Sequence, residues 1–216
     1  MARKILLIGA TGLVGRQAAG RLEAAGHDVR TLVRRPSGRA SNETIADPAL
    51  WPDLVGDTGA DTAVCAIGTT MRAAGSQAAF RAVDHDVAVA FAAAASAAGV
   101  RHMIAVSSVG ADPGSRNFYL RTKGEMEKAL ADLGFGRLDI LRPGLLRGER
   151  GSERRPGERL GIILSPIVNL VLRGRLDRFA AIGADIVAQA IAGLAGLGDE
   201  GIFIHHNRDI RRIAAG

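Results

Sequence analysis

Apolar residues fall along this chain in two periods. Short unbroken runs at Lys4 to Ile8, Val29 to Val33, Thr62 to Ile67, His102 to Val106, Leu138 to Leu141 and Ile202 to Ile204 have the length and branched side chains of strands buried on both faces. Between them, residues 13–25, 77–98 and 117–133 space apolar positions three and four apart, as helices with one buried stripe do. Thr44 to Leu54 reads as a weak further strand ending near Asp47, followed by a short helix opening at Pro48. Strand and helix in alternation predict an α/β fold with a doubly wound parallel sheet, in which ligands bind just past the carboxyl ends of the strands. By that rule Asp47 is a candidate cofactor contact.

The same pattern predicts one domain over residues 1–216, with 143–200 forming the substrate side. Pro143 to Arg159 is rich in Gly, Arg and Glu without periodicity and reads as a long loop. Leu160 to Leu172 and Ile182 to Leu197 read as helices, a small C-terminal helical cap closing over the substrate end.

The connection from the first strand to the first helix is Gly9-Ala10-Thr11-Gly12-Leu13-Val14-Gly15. A tight turn needs small residues, phosphates need backbone that no Cβ obstructs, and free N–H groups at a helix N-terminus attract an anion. Gly9, Thr11, Gly12, Leu13, Val14 and Gly15 are therefore expected to hold a dinucleotide pyrophosphate. About 20 residues past such a turn, an acidic residue serves a free ribose 2′-hydroxyl and an arginine serves a 2′-phosphate. Arg34 and Arg35 stand there, with no carboxylate between Val29 and Pro36, so NADP(H) is expected over NAD(H).

Composition narrows the picture. At 216 residues the chain suits one domain, and its single cysteine, Cys65, lies in an apolar run and reads as a buried small hydrophobe in a reducing compartment. The net charge of +6 comes with only 4% aromatic residues and no nucleic-acid module, so no nucleic-acid partner is expected. The longest uncharged stretches, Val87 to Val100 and Leu160 to Leu172, fall short of the roughly 20 residues a membrane span requires. The glycine turn interrupts what would otherwise resemble a leader, and the expected location is cytoplasmic, with no membrane association. The histidines are scattered, and no metal site is expected. Asp84 and Asp86 follow Arg81 on a helix and read as surface charges or a local pair with it. Arg142, Arg147, Arg150, Arg154 and Arg155, interleaved with Glu149 and Glu153, read as a solvated loop, with Arg142 close to the cofactor.

The strand His102 to Val106 ends in Ser107-Ser108, and Tyr119 is followed four residues later by Lys123. Four residues apart on a helix is one face, so the lysine ammonium lies near the phenol and within reach of a ribose. A nearby positive charge lowers a tyrosine pKa from about 10 and makes the phenol a proton donor or acceptor for a carbonyl or alcohol. A serine hydroxyl at the strand end would hydrogen-bond the same substrate oxygen. Ser108, Tyr119 and Lys123 are the catalytic candidates.

These motifs, with Cys65 to Thr70, Phe80 to Asp86, Ser107 to Asp112, Phe118 to Glu125, Arg142-Pro143-Gly144 and Arg155 to Glu158, resemble the short-chain dehydrogenase/reductase superfamily in its atypical or extended-like branch. Within it they are similar to the group of the mammalian Tat-interacting oxidoreductase and its small bacterial relatives, over residues 4 to about 160. The resemblance implies a Rossmann domain that binds NADP(H). Ala66, Ile67 and Gly68 would line the adenosine side, with Ser107, Tyr119 and Lys123 also at the cofactor. Arg142, Pro143, Gly144 and Leu145 would pass near the nicotinamide. It implies Tyr119 as acid/base, Lys123 as its partner and Ser108, ahead of Ser107, as ligand of the substrate oxygen. Where many members carry an asparagine, this chain has Asp84. The expected function is hydride transfer between NADP(H) and a small carbonyl or alcohol, in a monomer or homodimer. A non-catalytic NADP(H) sensor is the alternative, and a nucleotide-sugar epimerase or dehydratase the third.

Overall fold

In the computed structural model, which describes residues 2–37, 42–148 and 178–216, β1 (Lys4–Ile8) is buried from Ile5 onward and lies inside the sheet. It pairs in parallel with β2 (Asp28–Val33) on one side and β4 (Thr62–Cys65) on the other, while β3 (Asn42–Ile45) lies outside β2. Beyond β4 come β5 (His102–Val106), β6 (Arg137–Arg142) and β9 (Gly201–His206), the last reached after a short pair made by β7 (Leu146–Arg147) and β8 (Ile182–Gly183). The order is β3-β2-β1-β4-β5-β6-β9, seven strands all paired in parallel. The chain reverses direction across the sheet between β1 and β4, which opens a crevice at their carboxyl ends.

Alternate strand residues feed two cores. Ile5, Leu7, Val64, Ile104 and Leu141 point at α1 (Gly15–Ala24), α7 (Ala184–Leu194) and α8 (Asn207–Ala215). Leu6, Ile8, Ala63, Met103 and Ile140 point at α2 (Trp51–Val55), α5 (Ala88–Ala97) and α6 (Phe118–Ala131). Each large apolar side chain so buried stabilises by about 1.5–3 kcal/mol, and both faces of the sheet must be covered for the uninterrupted apolar runs to be satisfied. The α/β expectation and the doubly wound parallel sheet hold.

Several expectations change in detail. The strand expected over Thr62 to Ile67 stops at Cys65, because the chain turns at Ala66 to pass the glycine loop. The helix expected over 77–98 is α4 (Gln77–Arg81), a π-helical turn at Ala82–Val87 and then α5. A short helix, α3 (Met71–Ala74), precedes it. Residues 143–148 are not simply loop, since β7 there pairs with β8. The helix expected over Ile182 to Leu197 is α7. It buries Val187, Ala188 and Ile191 with Ala18 and Leu22 of α1, so it layers onto the sheet face instead of closing over the strand ends. The helix expected over Leu160 to Leu172 and the arginines at 150, 154 and 155 lie outside the described residues.

The histidines are not all scattered. Asp139, fully buried on β6, accepts hydrogen bonds from His102 Nε2 and His205 Nε2, each at 2.7 Å, and from Arg137 Nε at 2.6 Å. Burial alone would raise its pKa, but these donors outweigh it and hold the carboxyl well below the usual carboxylate range. Arg137 in turn lies over the Phe203 ring at 4.3 Å. The cluster joins β5, β6 and β9 on one face of the sheet.

Candidate dinucleotide and active site

The glycine turn has no room for a Cβ at Gly9 or Gly15. At Gly9 the backbone has φ +89°, and a side chain there would run into the Ala66 carbonyl; at Gly15 it would run into Gly9 O. The Gly12 N–H donates to Gly9 O at 2.9 Å and closes the turn. Around it lies a cavity of about 470 Å³, walled by Gly9, Thr11 and Gly12 just after β1, Val33 and Arg34 at the end of β2, Ala66, Ile67 and Gly68 just after β4, and Val83 and Val87 from the π-turn. A cradle of glycine backbone at the mouth of a parallel sheet is what a dinucleotide requires, and these residues fit one.

A second opening of about 370 Å³ continues from Thr11 past Arg34, Arg35 and Pro36. Both arginine side chains are exposed, and neither has a carboxylate partner among the described residues. Asp47 is placed differently from the expectation: its Oδ1 accepts from the Ala49 N–H at 2.9 Å and caps a turn, and it is Pro48 that lines the cavity. Leu13 and Val14 carry the turn into α1, with Val14 buried in the core. Gly148, just past β7, comes so close that a Cβ there would lie 2.8 Å from Leu13 Cδ1. On β7, Arg147 has a buried Nε and Nη2 without a hydrogen-bond partner among the described residues. The sequence reading put that arginine in a solvated loop; two buried guanidinium nitrogens without a partner, one residue from the Gly148 contact with Leu13, fit an anion instead.

α6 carries Tyr119, Lys123 and Glu127 on one face. Asn117 starts it, its side chain accepting from the Leu120 N–H at 3.2 Å. Gly124 lets the segment after β5 lie directly on the helix, since a Cβ there would meet the Asp112 backbone, and the Asp112 N–H donates to Leu120 O at 3.1 Å. The loop that begins with Ser107 and Ser108 is thereby docked on the first turns of α6, at the level of Tyr119. Ser107 is buried, and its hydroxyl has no hydrogen-bond partner among the described residues; Ser108 is half-buried, its hydroxyl 3.4 Å from Val109 O. The Tyr119 ring packs on Phe80 at 5.4 Å.

Lys123 is buried, and Asp84 is its partner: Nζ lies 2.7 Å from Asp84 Oδ1, while Asp84 Oδ2 accepts the Thr69 N–H at 2.8 Å. This corrects the reading of Asp84 as a surface charge. The π-turn rotates Asp84 inward to 1% exposure, and Arg81 pairs with Glu125 and Asp86 instead. Arg142 was expected near the cofactor, but its guanidinium grips Glu127, with Nε at 2.9 and 3.1 Å from the two carboxylate oxygens. Beyond it, Pro143 O accepts from the Val109 N–H, and the Gly144 N–H donates to Asn207 Oδ1 at 2.9 Å; Leu145 is exposed. Arg142, Pro143 and Gly144 thus join the strand ends to one another through bonds internal to the protein.

A doubly wound parallel sheet with a glycine turn at its crevice defines a dinucleotide-binding protein. The family model described as NAD(P)H-binding matches residues 9–160, and the chain belongs to that family. It is 37% identical over 202 residues to the protein named FMP52, mitochondrial, of Eremothecium gossypii, covering 88% of this chain and 87% of that one. The curated relatives carry that name, not that of the Tat-interacting oxidoreductase. Their names point to mitochondria, which overturns the expectation of a cytoplasmic location. Among solved structures, the Bordetella bronchiseptica enzyme WbmH in complex with NAD+ superposes with TM-score 0.69 at 16% identity, over 99% of this chain and 79% of that one. The dTDP-4-dehydrorhamnose reductase of Bacillus anthracis in complex with NADP superposes with TM-score 0.68 at 15% identity, over 100% of this chain and 81% of that one. At such identities the likeness is one of fold. Among the described residues, no helix is long and apolar enough to cross a membrane.

Proposed function

We propose that the protein is an NADP(H)-dependent oxidoreductase acting on a small carbonyl or alcohol. The observation that carries this reading is the face of α6, where Tyr119 and Lys123 stand four residues apart and Lys123 reaches, through Asp84, the Gly68 and Thr69 wall of the dinucleotide cavity. The bound nicotinamide would supply or accept the hydride. Gly9, Gly12 and Gly15 present bare backbone to the pyrophosphate, with Arg147 as a cation beside it. Arg34 and Arg35 receive the 2′-phosphate, which supports NADP(H) over NAD(H). Ser108 Oγ orients the substrate oxygen, and Tyr119 Oη exchanges the proton with it, with Lys123 one turn along the same face of α6. The names of the curated relatives support a mitochondrial setting for this chemistry.

Replacing Tyr119 by Phe removes the phenolic oxygen and keeps the ring that packs on Phe80. NADPH binding, followed by its fluorescence, is expected to change less than about threefold, while turnover of any aldehyde or ketone accepted by the parent falls by about 10²–10⁴, the usual contribution of a positioned acid/base. Turnover preserved in Tyr119→Phe removes Tyr119 from the mechanism. NADPH binding by the parent protein without oxidation of NADPH by any carbonyl or quinone in a broad panel favours a sensor.

A further inference from the structure

We propose that Asn207 is a positioning residue of the active site: by holding the peptide unit between Pro143 and Gly144, it fixes the loop that presents Ser108 to the substrate oxygen. Resting on the oxidoreductase reading, this role brings the C-terminal helix α8 into the site through a side chain that acts by way of other residues.

Asn207 opens α8 with its side chain fully buried, where an amide needs partners for both of its ends. It finds them on two separate segments: Oδ1 accepts the Gly144 N–H at 2.9 Å, and Nδ2 donates to Ala180 O at 2.7 Å. One partner is a donor and the other an acceptor, so the amide fits only one way round. An asparagine at a helix start commonly caps the helix. Here His206 stands at the cap, its N–H donating to Asp209 Oδ2 at 3.2 Å, and the Asn207 amide is turned to the strand ends.

What it holds there is one planar unit. The peptide between Pro143 and Gly144 gives its N–H to Asn207, and its C=O accepts the Val109 N–H at 2.9 Å. Because a peptide is rigid, fixing the direction of its N–H aims its C=O as well. Glycine by itself would let that unit rotate. The surroundings do not: a Cβ at Gly144 would run into Ala180 O and lie 3.1 Å from Asn207 Nδ2. On the near side of the loop, the Ser107 N–H donates to Leu141 O at 2.8 Å. Ser108 therefore hangs between two bonds to the end of β6, and Asn207 governs the second. Arg142, gripped by Glu127, ties the same stretch to α6, so the serine and the Tyr119 helix share one frame.

Two substitutions separate this path from plain packing. Alanine removes both bonds, whereas aspartate still accepts the Gly144 N–H and, when ionised, has no N–H to offer Ala180 O.

Amide hydrogen exchange, followed by NMR in the whole protein, reads the geometry without a substrate. In the parent, the Gly144 and Val109 amides are expected to be protected by about 10²-fold or more. In Asn207→Ala both gain about tenfold in exchange rate, the effect of one lost hydrogen bond, beyond any change at Leu7 in the middle of β1, which follows global stability. In NADPH-dependent carbonyl reduction the same variant loses about 10- to 100-fold in kcat, as misplaced groups do, while NADPH affinity stays within about twofold. Asn207→Asp regains most of the kcat and of the Val109 protection, even though its melting temperature falls. A Gly144 or Val109 amide that is unprotected in the parent overturns the proposal, whether or not the variants fold. So does a folded Asn207→Ala that keeps the parent's Val109 protection or kcat, or an Asn207→Asp that loses as much kcat as the alanine. If the parent reduces no carbonyl, the oxidoreductase reading fails by itself, and the Val109 exchange still decides whether Asn207 holds the serine loop.

Discussion

At the scale of single residues, charge decides most of what this site can do. Arg34 and Arg35 face an open pocket that runs on from the glycine turn, with no carboxylate partner among the described residues. Hydrogen bonds to a charged group contribute about 1.5–3 kcal/mol, which corresponds to roughly ten- to a hundredfold or more in affinity. Replacing both arginines by serine is accordingly expected to weaken NADPH binding by about that factor and NADH binding by less than about threefold, read by fluorescence titration with the two cofactors in parallel. Equal losses for both would assign the pair to the surface. The position of the arginines beside the turn was legible from the chain because their distance from it is fixed by one helix and one strand. Asp84 was not, because its meaning depends on Lys123, far away in sequence, and on a π-turn that leaves no mark in the apolar pattern. Arg147 was hidden for a related reason: its strand is two residues long, too short for any periodicity to declare it.

At the scale of elements, β5, β6 and β9 are locked together by one carboxylate. Asp139 is held far below its unfolded pKa of about 3.9 by the donors from His102, His205 and Arg137, which overcome the cost of burial. A depressed folded pKa contributes stability that is complete above the unfolded value and is lost as pH falls through the folded one. The urea midpoint is therefore expected to drop steeply as pH falls below about 4, and Asp139→Asn to flatten that drop. At pH 7 the same change should destabilise by about 3–5 kcal/mol, the range for breaking a buried pair, because Arg137 loses its buried carboxylate and keeps only the exposed Asp199. A variant with the parent's acid profile would show that other carboxylates govern acid unfolding. The strands themselves were readable from their apolar runs, yet which polar residues meet between them was not. His102, Asp139 and His205 become neighbours only through the parallel register of three strands.

At the scale of the molecule, the fold is a pair of apolar layers on one sheet, with the dinucleotide crevice at the carboxyl ends of its strands. A ligand bound only by the folded chain stabilises it by mass action, about 2.7 kcal/mol at a hundred times its dissociation constant. For a chain of 216 residues that corresponds to a rise in Tm of about 5–10 °C. NADPH is expected to produce that rise in differential scanning fluorimetry, with NADH at the same concentration producing clearly less; no response to either would remove the crevice as a cofactor site. The sheet and its glycine turn could be anticipated since both are specified by neighbours in sequence. The placement of α7 on α1 could not, because an alanine-rich stripe fits a sheet face and a cap equally well until its partner is known.

The π-turn also constrains how this gene can change. It amounts to one residue more than a plain α-helix between Gln77 and Ala97 would need. Deleting a single residue there would yield a smoother helix that still covers the sheet, and by most measures a better-formed one. It would also swing Asp84 by roughly a quarter turn and strand the Lys123 ammonium in the interior. Length variation among relatives should therefore collect in the loops on either side of this helix, while the helix itself keeps its count.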